Sequence, residues 1–114
     1  MMLKTVIGAA LGVLMLAGSA SAAEPIAGQW RTQEGSIAEI APCSAGFCVT
    51  LRSGQHQGKQ IGQMRGSGAN YSGTVTDPAS GRTYQGRATV QGSQLSLTGC
   101  ALRVFCRTQT WTRG

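Results

Sequence analysis

The sequence predicts an all-β domain: a small antiparallel up-and-down β-barrel of about eight short strands, stapled by two local disulfides. Three observations predict it. Apolar and polar residues alternate in short runs separated by Gly, Pro, Asp and Ser turns. No stretch after residue 22 keeps helical spacing over three turns. Four cysteines stand in two close pairs.

The first segment sets the compartment. Met1-Met2-Leu3-Lys4 is a short basic start, Thr5 to Gly18 is an uncharged apolar run, and Ala20-Ser21-Ala22 offers small residues to a signal peptidase. The run is about 14 residues, short of the roughly 20 needed to cross a bilayer. Residues 1–22 are therefore expected to be a cleaved signal peptide. Residues 23–114 form a single β-barrel domain, periplasmic or secreted, with no membrane span after cleavage.

Loss of Lys4 takes the net charge from +6 to +5. The remaining cations, eight arginines and Lys59, are scattered, with no run of three. Nucleic-acid binding calls for clustered basic residues among aromatics, so none is expected. Weak attraction to anionic envelope surfaces fits the charge.

The strands are expected in this order. Gly28 to Thr32 comes first, turned at Glu34-Gly35. Ile37 to Cys43 and Phe47 to Arg52 form a hairpin through Ser44-Ala45-Gly46, with Phe47, Val49 and Leu51 on one face. Ile61 to Arg65 reads as a weak strand, with Ile61 facing the same way as Gln63 and Arg65. Tyr71, Gly73 and Val75 share a face of the next. Asp77-Pro78-Ala79-Ser80-Gly81 is a tight turn, Asp capping, Pro fixing φ and Gly closing. Tyr84, Gly86, Ala88 and Val90 follow on one face, then Gln91-Gly92-Ser93 reverses the chain into Leu95 to Thr98. Cys106 to Arg113 closes the series. Hairpin-linked strands of this kind must cover their edges, and a barrel does so.

Four cysteines allow three pairings in principle. Local geometry favours Cys43 with Cys48 and Cys100 with Cys106, because each pair brackets a chain reversal. The spacings C-x4-C and C-x5-C behind a signal peptide fit a four-thiolate zinc site poorly. Leu, Ile, Val and Phe make up only about 15 per cent of the domain, so staples are needed where the apolar core is thin.

Chemistry is sparse. His56 is the sole histidine, set among glutamines and glycine without an orienting acid or nucleophile. No paired carboxylates, phosphate-cradling loop or metal-ligand spacing appears, and no serine sits in a nucleophile elbow. The expectation is a protein that is not an enzyme and takes no metal or cofactor.

Two features carry a resemblance. Gly28-x-Trp30 on the first strand, with arginines on the last, is similar to the lipocalin and calycin pattern in which such a tryptophan packs near a closing arginine. Arg107 and Arg113 are the candidates for that barrel-closing role. More specific is Gly73-Thr-Val-Thr-Asp77-Pro78-Ala-Ser80-Gly81-Arg82-Thr83-Tyr84, followed by Gly99-Cys100 and Cys106-Arg107-Thr108-Gln109-Thr110-Trp111-Thr112-Arg113. With Gly28-x-Trp30, Ala38 to Cys43 and Cys48, it resembles a bacterial secreted family, domain of unknown function 2147. The resemblance implies an exported, lipocalin-like or calycin-like barrel and supplies no activity.

The chain departs from the family pattern between Ser53 and Asn70, a stretch that is short, glycine-rich and polar. A trimmed wall there points to a shallow or collapsed pocket. By fold analogy the domain is expected to bind an apolar or amphipathic small molecule. Trp30, Ile40, Phe47, Val49, Leu51, Tyr84 and Trp111 then face inward, either lining a cavity or filling the core. The alternative is a structural or protein-interaction role with an envelope protein partner and no small-molecule ligand.

Overall fold

The computed structural model describes residues 24–44, 46–101 and 105–114; the expected signal peptide lies outside the described residues. Eight strands follow in chain order: β1 (Gly28–Arg31), β2 (Ile37–Cys43), β3 (Gly46–Leu51), β4 (Gln60–Ser67), β5 (Asn70–Thr76), β6 (Thr83–Gln91), β7 (Gln94–Ala101) and β8 (Phe105–Arg113). Each pairs antiparallel with the next, and β1 pairs with β8, so the sheet closes on itself as the expected up-and-down barrel. Closure across β1 and β8 rests on two register pairs, Trp30 with Arg113 and Arg31 with Thr112. Two further hydrogen bonds extend that seam: Gly114 N–H to the Gln29 carbonyl at 2.9 Å, and Thr110 N–H to Gln33 Oε1 at 3.2 Å.

Alternation decides which side chains enter. On β3, Phe47, Val49 and Leu51 are buried, and on β6 Gly86, Ala88 and Val90 are. The expectation fails at β4. Ile61, Gly62 and Met64 are buried there while Gln63 and Arg65 are exposed. The cause is a β-bulge: Val49 pairs with Gly62 but Thr50 pairs with Gln60, so Ile61 is an extra residue and the alternation shifts by one. The strand also runs to Ser67 and turns at Gly68-Ala69 into β5. The short segment from Ser53 to Asn70 therefore still supplies a full strand, and the barrel wall has no gap there.

An up-and-down course puts all odd-numbered connections at one end. Residues 32–36, 52–59 and 77–82 form that rim, where β7 also ends and β8 begins, while Gly68-Ala69 and Gly92-Ser93 turn at the other end. The disulfides form as expected, Cys43 to Cys48 and Cys100 to Cys106, the first at the short-turn end and the second at the rim. They fit an oxidising compartment outside the cytoplasm. Each closes a loop so small that the chain-entropy effect is about 2 kcal/mol. Replacing one pair by alanines should therefore lower the urea unfolding free energy by about 2 kcal/mol. A double-alanine variant as stable as the parent, for either pair, would show that the staple adds nothing to the ladder.

Candidate functional site

The two ends of the barrel are built differently. The end near the amino terminus is sealed. Ile26 and Trp30 have no exposed surface, and Leu95, Met64, Tyr71, Ala88 and Val90 pack in the same cluster. The turn at Glu24–Ala27 lays Ile26 across the opening, and the Trp30 indole Nε1 donates to the Ile26 carbonyl at 2.9 Å. Arg113 covers the other face of the ring, its guanidinium carbon 3.9 Å from the ring centroid. The same guanidinium donates to the Ala27 carbonyl at 3.0 Å and to the Pro25 carbonyl. One arginine thus ties the closing strand to the segment that plugs the barrel. Tyr71 adds a second tie: its hydroxyl donates to the Gly68 carbonyl at 2.8 Å and stands 3.4 Å from the Glu24 carboxylate. Burial pushes the Tyr71 phenol above its usual pKa, and the charge of Glu24 adds to the shift, so it stays a donor at neutral pH.

The rim end is hollow. A cavity of about 800 Å³ opens at this end. Its depth is lined by Leu51, Ile61, Val75, Leu97 and Trp111, and its mouth by Glu34, His56, Asp77, Tyr84, Phe105 and Arg107. A row of glycines crosses the wall beside it, and Gly99 borders the cavity. Gly73, Gly86 and Gly99 pair in register across β5, β6 and β7 and give that wall no side chain to project inward. A Cβ on Gly86 or on Gly99 would stand 3.0 Å from a methyl of Val75. Val75 packs over Gly86 and Gly99 and borders the cavity.

The mouth is polar but largely self-satisfied. Asp77 Oδ1 accepts the Ala79 N–H at 2.9 Å, and that bond, with the Ser80 hydroxyl, holds the carboxyl below its usual pKa. Lys59 Nζ donates to the Pro78 carbonyl at 3.2 Å and joins two of the rim loops. His56 is half-buried among the lining residues, and among the described residues no cluster of three His, Cys, Asp or Glu is assembled. A second concavity, about 520 Å³, lies outside the barrel between Arg65 and Arg87, and hydroxyl and amide side chains dominate it.

The residues singled out from sequence divide between these ends. Trp30, Ile40, Phe47 and Val49 are buried in the packed half, where Phe47 meets Tyr71 edge-on at 5.8 Å. Leu51, Tyr84 and Trp111 line the cavity. The two candidate closing arginines part company: Arg113 sits on Trp30 at the sealed end, and Arg107 stands at the open mouth. Sequence reasoning did not single out Ile26, Val75, Leu97 or Gln109. Val75 and Leu97 carried the alternation that would have marked them; Ile26 lies in no strand, so no alternation marks it.

No curated protein and no solved structure matches the chain. A family model described as an uncharacterized protein conserved in bacteria, DUF2147, matches residues 28–113. That span runs from the first residue of β1 to the last of β8, so the whole barrel is the family's domain, and the chain belongs to the family DUF2147.

Proposed function

We propose that this chain is a small exported binding module that holds an apolar or amphipathic molecule in the open end of its barrel. The observation that carries this reading is the contrast between the ends. One is sealed by Ile26, Trp30 and Arg113, while the other keeps a cavity of about 800 Å³ over an apolar floor. Cavities of about 300–1,000 Å³ with apolar walls and few polar groups are the usual form of a small-molecule site. The basic, apolar and small-residue leader of residues 1–22 supports work in the periplasm or beyond. In this reading the protein holds its ligand and does not convert it.

Native mass spectrometry of the protein recovered from its own cell envelope tests the reading. The expected spectrum contains a species heavier than the bare chain, and that species is lost in Leu97→Trp, which fills the floor. Recovery of the bare mass alone would overturn the proposal. A second reading, a protein contact at the rim, is favoured by Phe105, which is 70% exposed beside the mouth. Pull-down from envelope extract with Phe105→Ser as control decides it: identical partner lists would remove this reading.

A further inference from the structure

The inner face of β8 is graded from the floor of the cavity to its rim. Trp111 is buried at the floor, Gln109 is half-buried above it, and Arg107 reaches the mouth. The Trp111 indole Nε1 donates to Gln109 Oε1 at 3.0 Å. An indole nitrogen can only donate, so the amide oxygen faces it and the NH₂ of Gln109 points away from the ring. Arg107 above it has donors and no acceptor. Its side chain makes no salt bridge or hydrogen bond among the described residues, where the single ion pair joins Arg52 to Glu39 on the outer wall.

The polar strip of this wall therefore presents the Gln109 NH₂ and the Arg107 guanidinium, both donors, and the second carries a full positive charge. The rim also holds two acids. Asp77 is engaged by its own turn, and Glu34 is exposed on the loop between β1 and β2. His56, the remaining titratable side chain of the imidazole type at the mouth, brings no negative charge. Beneath the donors lie Leu51, Ile61, Val75 and Leu97, which leave a polar group without a partner. From Trp111 to Arg107 the strand rises about 14 Å, at about 3.4 Å per residue.

Resting on the binding reading above, we propose that the ligand is a carboxylate on an apolar body no longer than about 14 Å, its charge held at Arg107 and its body on the apolar floor. Acceptor-rich oxyanions match a wall of donors, and Arg meets a carboxylate with two parallel hydrogen bonds.

Three probes with one apolar body separate the terms: decanoate, decanol and decylamine, titrated into the oxidised protein at pH 8 with tryptophan fluorescence as the signal. Decanoate should bind about 10-fold to 100-fold more tightly than decanol, as expected for charge-assisted hydrogen bonds, with decylamine weakest. Arg107→Gln should bring decanoate to the level of decanol and leave decanol unchanged. Arg107→Lys, which keeps the charge and loses the fork, should retain part of the preference. Far-UV circular dichroism checks that these surface variants keep the barrel. Equal binding of decanoate and decanol, or a preference that survives Arg107→Gln, overturns the anion assignment and leaves the cavity reading standing. If none of the three binds, the assignment also falls. If the neutral fluorophore N-phenylnaphthylamine fails as well, the binding reading falls with it.

Discussion

Trp30→Ala should be among the most damaging single substitutions in the chain, lowering the unfolding free energy by about 3–5 kcal/mol. Several losses coincide at this position. The ring has no exposed surface, so its removal leaves a cavity under Ile26 and Leu95. The Ile26 carbonyl loses the indole N–H that satisfies it in a buried setting, a further cost of about 1 kcal/mol or more. Arg113 loses the ring face it covers. A domain of this size is stable by only about 5–15 kcal/mol, so the variant should unfold near ambient temperature or at very low urea. Arg113→Ala should cost much less, about 1 kcal/mol, because the cation–π contact is exposed and water can take over the carbonyls of Pro25 and Ala27. The pair is coupled, so the double variant should lose less than the sum of the two singles. Urea titrations followed by far-UV circular dichroism measure all three. A loss below about 1 kcal/mol for Trp30→Ala would show that Ile26 and its neighbours seal the end without the tryptophan.

The Trp30–Arg113 half of the sealed end was legible in the sequence because both residues stand on strands, whereas Ile26, which lies in no strand, was not. Gly28-x-Trp30 opens the first strand, Arg113 ends the last, and closure of the sheet brings them together. The disulfide pairing was equally legible, since each cysteine pair brackets one reversal and no long-range geometry enters. The register of β4 was not. A bulge depends on how two strands meet, and nothing in Ile61-Gly62-Gln63 says that Ile61 will stand as an extra residue opposite Val49 and Thr50. The two roles of arginine on β8 were hidden for a related reason. Arg107 and Arg113 share one face by alternation, yet a strand of nine residues carries them to opposite ends of the barrel. The cavity was hidden more deeply, because part of its wall, at Gly99, contributes no side chain. Gly73, Gly86 and Gly99 recur at a constant interval on the inward face, and composition alone reads them as weak strand formers.

That glycine row leads to the second large effect, because its members do unequal jobs. Gly73→Ala should cost about 3 kcal/mol or more, the upper range for forcing extra volume into a packed site. A Cβ at this position would run into the Gln63 carbonyl and the Cα of Met64, both backbone atoms of the paired strand. Neither can rotate away, so β4 and β5 would have to separate where Met64 pairs with Gly73. Gly99→Ala meets only a methyl of Val75 at 3.0 Å, and Val75 borders the open cavity into which it can move. Its cost should stay below about 1 kcal/mol. The contrast then extends from stability to function. Gly99→Leu should fold, because its larger side chain has the cavity to enter, and it should bind no ligand, because it occupies the floor. Gly73→Ala should fail earlier, in the folding of the barrel itself. Equal stability losses at the two positions would mean that the row serves only the curvature of the wall. Binding that survives in Gly99→Leu would mean that the space beyond Val75 is not where the ligand sits.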